Sequence, residues 1–404
     1  MHYQVSFDTS LAWQVMADWQ MPDTPFMQFA FWQALFDSRA IGEGSDWLTM
    51  FALVKDSNDN LIATMPVFVK HHHQGEYVFD YAWAEAYSRY GQDYYPRLVT
   101  SVPFTPVTGG RVWLAQGQTL TAELWQALNQ AVDHLAKQVN ASTWHGLFLP
   151  DTLVTLDKAS EYEHLQRLGC QFMWFNQNLQ GERFGDFDEF LSILTAKKRK
   201  SIKVERQKVA AQGVTCQIKL GQEIGEADWQ VFYQCYAMTY LVRGRRPYLS
   251  LGFFEQIGKT MTDNLMLAQA KDHQGNIVAC ALFFYDSDPA VSTLYGRYWG
   301  SLAEYDSLHF ELCYYQGIAF AIAQGLRQFD PGTQGEHKLI RGFRPVLSHS
   351  LHRVYDARFV PAIGHYCEQE CAGVLGYFEE AMNAVPFNQN YIEALPNIIA
   401  TSNQ

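Results

Sequence analysis

Two stretches of the chain consist of paired apolar runs of strand length, each pair interrupted once by polar turn residues. One covers residues 48–70 around Asp56-Ser57-Asn58-Asp59-Asn60; the other covers 265–285 around Asp272-His273-Gln274-Gly275-Asn276. Each predicts a β-hairpin. Ahead of each lies a short helical pattern with paired aromatics, Phe31-Trp32-Gln33-Ala34-Leu35 and Phe253-Phe254-Glu255-Gln256-Ile257. Behind each come a further strand, a longer helix and another strand. The first long helix is predicted at about 120–139, with Leu120, Leu124, Leu128, Ala131 and Leu135 on one face, followed by a strand at Leu147-Phe148-Leu149. The second is predicted at 307–324, before a strand that ends at Phe329-Asp330.

Set 216 positions apart, the hairpins agree at Ala52/Ala268, Lys55/Lys271, Asp56/Asp272, Asn60/Asn276, Ala63/Ala279 and Phe68/Phe284. The order helix, hairpin, strand, helix, strand therefore occurs twice. It predicts a mixed α/β fold made by tandem duplication, with a first domain at 1–185 and a second at 186–404. Residues 71–115 form an aromatic-rich insertion in the first half, expected to cover or line a site, since long segments inside compact domains are functional or disordered and the aromatics argue against disorder. A linking helix is predicted at 186–213 and a C-terminal helix at about 360–383. Seven cations, Lys197, Lys198, Arg199, Lys200, Lys203, Arg206 and Lys208, face the single Glu205 within 197–208. Arg199, Lys203 and Arg206 fall at i, i+4 and i+7 beside the face of Ile202 and Val209. That strip is either a solvated helix surface or a phosphate-binding edge.

With 404 residues, 48% hydrophobic and 15% aromatic, the chain is long enough for two or three globular domains and shows no disordered composition. Its net charge of −12 argues against general affinity for nucleic acid or an anionic membrane, so any polyanion contact must be local. The beginning of the sequence shows neither a basic region followed by an apolar one nor any apolar run of the ~18–20 residues a membrane helix needs, and a cytoplasmic protein is expected. The seven cysteines include no C-x-x-C pair and read as reduced thiols. No metal site is expected. His71, His72 and His73 alternate across an extended strand, and Cys367 and Cys371 with nearby His365 fall short of four ligands.

One stretch stands apart. FDPGTQGEHKLIRGF, residues 329–343, holds three glycines, a proline, two acids, a histidine and two cations, whereas its first-half counterpart, Phe148-Leu149-Pro150-Asp151, has no such continuation. A connection needed by both halves would look alike in both. The difference points to a site in the second half.

The strings FLSILTAKKRKSIKVERQKVAAQGVTCQI, FYQCYAMTYLVRGRRPYLSLGFFEQI and LYGRYWGSLAEYDSLHFELCYYQGIAFAIAQGLRQFDPGTQGEHKLIRGFRPVLSHS resemble the FemAB-like family of N-acyltransferases of the GNAT superfamily. So does EYVFDYAWAEAYSRYGQDYYPRLVTSVPFTPVTGGRVW in the first half, and the likeness runs from about residue 26 to 383. The resemblance implies two GNAT-like domains and transfer of an acyl or aminoacyl group to an amine of a small or peptidoglycan-precursor acceptor. It implies acyl-CoA or aminoacyl-tRNA as co-substrate, tRNA being a possible partner, with no tightly bound cofactor. Simple GNAT enzymes bind the CoA pyrophosphate on a Gln/Arg-x-x-Gly-x-Gly/Ala loop; residues 297–304 here carry one glycine and an acid. Residues 103–111 instead offer Thr105, Thr108, Gly109 and Arg111 to a phosphate, leaving Arg297 and Tyr298 for substrate.

No G-x-S-x-G elbow or catalytic-cysteine context occurs, so direct attack by the amine is expected, with a base to take its proton. Glu336 and His337 are the foremost candidates, beside Lys338 and Arg341. Next come Asp306, His309 and Glu311 at the start of the second long helix, with Asp306 as its N-cap and His309 facing a cleft. Asp80, Trp83 and Tyr87 suit recognition of a polar substrate, and the resemblance implies that Arg243, in VRGRRPYL, belongs to a substrate-cleft loop. Each set reads equally as an ion-paired loop, a hydrogen-bonded core or a turn. For the whole chain the competing expectation is a non-catalytic module that recognises a peptidoglycan peptide.

Overall fold

The computed structural model describes residues 3–11, 16, 18–22, 24–286, 292–333 and 335–402. Gln334, inside the glycine-rich stretch, and part of the N-terminal stretch lie outside the described residues. The strands, in chain order, are β1 (Gln4–Asp8), β2 (Leu48–Lys55), β3 (Leu61–Lys70), β4 (Arg97–Thr100), β5 (Trp113–Leu114), β6 (Thr143–Leu149) and β7 (Leu165–Phe175). They continue with β8 (Thr215–Leu220), β9 (Leu265–Lys271), β10 (Ile277–Tyr285), β11 (Thr293–Ser301), β12 (Gln328–Asp330) and β13 (Arg344–Val354).

Residues 1–170 with 347–376 make one compact unit, and 171–346 with 377–404 make the other. The expected division at 185/186 differs from this one because the chain passes between the units three times, at 170/171, 346/347 and 376/377. β7 begins in the first unit and ends in the second, and β13 runs the other way. In the first unit the strand order is β1-β2-β3-β4-β6 with β13 antiparallel to β6; in the second it is β8-β9-β10-β11-β12 with β7 antiparallel to β12. The parallel pair is β4/β6 in one and β11/β12 in the other, all other neighbours within each unit being antiparallel. The mixed α/β fold and its duplication are thus present in the strand order itself.

The hairpin turns match atom for atom. Asp56 accepts from the amides of Asn58 and Asn60 at 2.8 and 3.0 Å, and Asp272 accepts from those of Gln274 and Asn276 at 2.9 Å each. These are side-chain-mimicked turns of the kind aspartate forms. Each turn places one residue at positive φ, Asp59 at 64° and Gly275 at 85°.

The third strand breaks the symmetry. β10 pairs with one nine-residue strand, β11, so that Phe284 faces Tyr295, Cys280 faces Gly300 and Ala279 faces Ser301. In the first unit Phe68 faces Val99 of β4, whereas Thr64 and Ala63 face Trp113 and Leu114 of β5. One strand of the second unit is therefore two in the first, separated by residues 101–112.

The helices are α1 (Phe29–Asp37), α2 (Tyr81–Arg89), α3 (Ala122–Val139), α4 (Asp151–Lys158), α5 (Phe187–Ser192), α6 (Ala196–Ala211), α7 (Glu226–Leu241), α8 (Leu251–Thr260), α9 (Leu308–Phe310), α10 (Gln316–Ala323), α11 (Val360–Asn383) and α12 (Gln389–Ser402). α3 buries Leu124, Leu128, Ala131 and Leu135 against β2, β3 and β6, as its spacing predicts. The basic linking segment is two helices rather than one. Leu194 is buried and bridges Phe387, and the amide of Thr195 donates to Pro386 O at 2.9 Å, which draws the chain out of helical geometry between α5 and α6.

Candidate functional site

The second long helix starts as α9, widens into a π-helical turn at Glu311–Tyr315 and continues as α10. The wide turn brings His309, Cys313 and Tyr314 to one wall of a cavity of about 220 Å³ in the second unit. β10 supplies Ala281, Leu282 and Phe283, and β11 supplies Gly296 to Trp299. The register slips between Leu282 and Phe283, a bulge that re-aims side chains where the cavity opens. Pro331, Thr333, His337 and Lys338 of the glycine-rich stretch complete the lining.

Inside the cavity the Tyr314 hydroxyl and His337 Nε2 are 2.8 Å apart. The His309 ring lies against Trp299, Tyr314 and His337, with centroids at 5.2, 5.4 and 6.1 Å. Burial, helped by the charges of His337, Arg341 and Lys338, pulls His309 down to about 4, and burial with Arg341 and Lys338 also pulls His337 down. Both rings are therefore neutral bases at ordinary pH. Burial lowers Lys338 to about 8. Its Nζ donates to Gly332 O at 2.5 Å and to Thr333 O at 3.5 Å. Arg297 is held by Asp330, at 2.7 Å to the carboxylate and 3.1 Å to the carbonyl.

The segment carrying His337 and Lys338 is a 3-10 turn, Glu336–Arg341, fixed from behind. Arg341 is buried, donates to both oxygens of Glu205 at 3.2 and 2.8 Å and to His337 O at 2.7 Å, and lies over the Phe310 ring. The Tyr315 hydroxyl bonds the same Glu205. Arg341 thus positions the turn and does not line the cavity. Glu336 points elsewhere, exposed, accepting from the Tyr377 hydroxyl at 3.1 Å.

Of the residues expected at a site, His309, His337, Lys338, Arg297 and Tyr298 come together here. The rest do not. Asp306 is not the N-cap of its helix; its carboxylate meets Lys208 Nζ and the Ser307 hydroxyl at 2.8 Å each, and Ser307 in left-handed conformation starts the helix. Arg243 is exposed at the end of α7, donating to Thr239 O. On α6, Arg199 reaches the carbonyls of Leu191 and Ser192, Lys203 pairs Asp188 at 3.3 Å, and Arg206 forks onto Glu311 at 3.1 Å twice. All three cations of the strip thus have partners in the protein.

In the first unit Asp80, Trp83 and Tyr87 are buried. Asp80 bonds Tyr94 and pairs Arg97 at 3.2 Å, Trp83 packs against His145 and His352, and Tyr87 stacks on Phe359 at 3.9 Å. Around them, burial raises Glu76 to about 6 and lowers Lys70 to about 7. The stretch expected to cradle phosphate is tied to its own backbone instead. Arg111 is fully buried and donates to the carbonyls of Val107, Gly109, Gly110, Leu147 and Phe148, the Gly109 amide donates to Phe148 O, and Thr105 is buried. A buried guanidinium with no carboxylate paired to it among the described residues is satisfied by such a ring of carbonyls.

Tyr314, Cys313, Trp299 and Thr333 escaped the sequence-level expectations. Helical spacing of 3.6 does not put residues 309, 313 and 314 on one wall; the π turn does, and nothing in HFELCYY announces it. Among the described residues no group of His, Cys, Asp and Glu has the makings of a metal site, and no helix is long and apolar enough to cross a membrane.

A family model described as FemAB-like, peptidoglycan biosynthesis/recognition, matches residues 8–389. Comparison with curated proteins gives no significant match. Among solved structures the chain is similar to L-PGS from Bacillus licheniformis, at 10% identity over 87% of this chain and 98% of that one, with a TM-score of 0.47. It is similar to a tandem GNAT protein from the clavulanic acid biosynthesis pathway, at 7% identity, 87% and 98% coverage and a TM-score of 0.46. A third is Saccharomyces cerevisiae N-myristoyltransferase with bound myristoyl-CoA, at 10% identity, 87% and 79% coverage and a TM-score of 0.38.

Proposed function

The chain belongs to the FemAB-like family of peptidoglycan biosynthesis/recognition, and we propose that the cavity of its second unit transfers an acyl or aminoacyl group to an amine of a cell-wall-related acceptor. One observation carries this: two imidazoles held neutral in a cavity, one of them bonded to a tyrosine hydroxyl. Neutral imidazole is the base that amine attack needs.

In the proposed step the amine nitrogen attacks the donor's carbonyl carbon and the C=O π pair moves to oxygen. Tyr314 is the hydroxyl donor beside which that oxyanion would form, its oxygen accepting from His337 Nε2–H. The nitrogen gives its proton to His309. The carbonyl re-forms and expels the thiolate of an acyl-CoA or the ribose oxygen of an aminoacyl-tRNA, which takes up the proton.

The decisive experiment incubates the protein with labelled acyl-CoA or aminoacyl-tRNA and a peptidoglycan-precursor peptide. Transfer is expected from one donor, and the double variant His309→Ala/His337→Ala, shown folded by circular dichroism, should be slower by about 10²–10⁴-fold. Unchanged turnover in that variant would sink the assignment. A second reading, recognition without catalysis, is favoured by one feature: residues 297–301 are strand and 105–111 are internally bonded, so neither forms an open phosphate loop. Binding of the peptide with no donor binding and no transfer would decide for it.

A further inference from the structure

The cavity's lining is lopsided in charge. Arg297, Lys338, His309 and His337 border it, and among the described residues no aspartate or glutamate does. Arg297 is already matched by Asp330. Lys338 is not so matched. Its ammonium, 3% exposed as a residue, meets two backbone carbonyls, and no carboxylate pairs with it among the described residues. A cation taken out of water and given only dipoles is costly to keep, and the burial-driven fall of Lys338 to about 8 is the same cost seen as acidity. The surplus positive field also reaches the histidines, since Arg341 and Lys338 both push protons off His309 and His337. Asp330 is near enough to favour the ammonium, but its two oxygens are committed to Arg297 and the Gly332 amide, and Glu205 lies behind the turn, committed to Arg341 and Tyr315.

A site with this balance lacks an anion. We infer that the substrate of this cavity carries a compact anionic group, a carboxylate or a phosphate, that seats on the Lys338 ammonium. The volume of about 220 Å³ suits one amino-acid-sized moiety, so the group sits within a residue or two of the reacting amine or carbonyl. Thr333 and Trp299 on the same lining supply a hydroxyl and an aromatic face to the rest of that moiety. The inference rests on reading this cavity as the transfer site, but it concerns binding and is tested by binding.

Three probes separate the possibilities in calorimetry and thermal shift: N-acetylalanine, its primary amide, and methyl phosphate. One of the two anions, carboxylate or phosphate, should bind at least about tenfold more tightly than the amide and raise the melting temperature. Which anion binds identifies the source. Lys338→Met should abolish that preference while leaving the weak binding of the amide unchanged. In the native protein anion affinity should fall as pH rises through about 8, where the ammonium is lost; this measurement decides if Lys338→Met does not fold. Equal binding of acid and amide, no anion binding, or a pH-independent affinity would overturn the inference. Anion binding without any acyl transfer would leave it standing while removing the proposed activity.

Discussion

The same strand position is filled in opposite ways in the two units. In the second, β11 runs unbroken for nine residues, and past Tyr295, its last residue paired with β12, residues 296–299 border a cavity. In the first, β4 stops at Thr100, the chain makes the excursion 101–112, and β5 resumes the pairing with β3. Arg111 closes that excursion by binding five carbonyls, two of them on β6. Duplication supplied one scaffold; an interruption filled it in one copy, and a bulge and a π turn opened it in the other. Buried ionisable groups are therefore not themselves a mark of a site. The first unit has as many around Arg97 and Asp80, but they are consumed by one another.

The largest effects should come from exchanging what the two copies place at one register position. Trp113 faces Thr64 and packs against Trp32, whereas Gly300 faces Cys280, and a Cβ there would come within 1.7 Å of Cys235 O on α7. Trp113→Ala should cost about 3–5 kcal/mol through the cavity it leaves. Gly300→Ala should cost upward of about 3 kcal/mol because α7 backbone must move. Urea denaturation measures both, and a tolerated Gly300→Ala would break the comparison.

Acid should come next. His309 has a folded-state value of about 4 against an ordinary 6.5, so the unfolded chain binds more protons between those values. Its contribution is present above pH 6.5 and is lost as pH falls toward 4, on the order of 3 kcal/mol. His145 and His352 of the first unit, pulled well below their usual range by burial first and then by Arg97 and Arg167, act in the same direction. Hydrogen exchange at pH 7 and 5 should show both units losing protection. His309→Gln should lessen the acid sensitivity of the second unit only, His337 keeping a part of it. The smallest effect belongs to α6, where Lys203→Ala, breaking a pair whose side chains are 53% and 81% exposed, should change stability by under about 1 kcal/mol by thermal denaturation.

Much of this was legible beforehand. The hairpins, the matching aspartate turns, α3 and its buried face, and the presence of chemistry in residues 329–343 follow from local pattern. His309, His337 and Lys338 follow from residue type and setting, Arg297 and Tyr298 from the family resemblance, and the structure gathers all five around one cavity. Others were misplaced for a shared reason. Asp306, Arg199, Lys203, Arg206 and Arg111 are ionisable residues whose partners, Lys208, the end of α5, Asp188, Glu311 and five carbonyls, become neighbours only on folding. Sequence reveals a charge but not the group that answers it.

Taken alone, the sequence determined the duplication, the hairpins, the insertion and the asymmetry of the stretch after β12, because hydrophobic period and turn chemistry act over a few residues and are written contiguously. Tertiary structure decided which strand completes each unit, that one strand is split by an excursion sealed with Arg111, and that a π turn and a bulge turn scattered residues into a cavity. Those outcomes depend on backbone groups and charges far apart in the chain finding their partners, and no local pattern encodes such encounters.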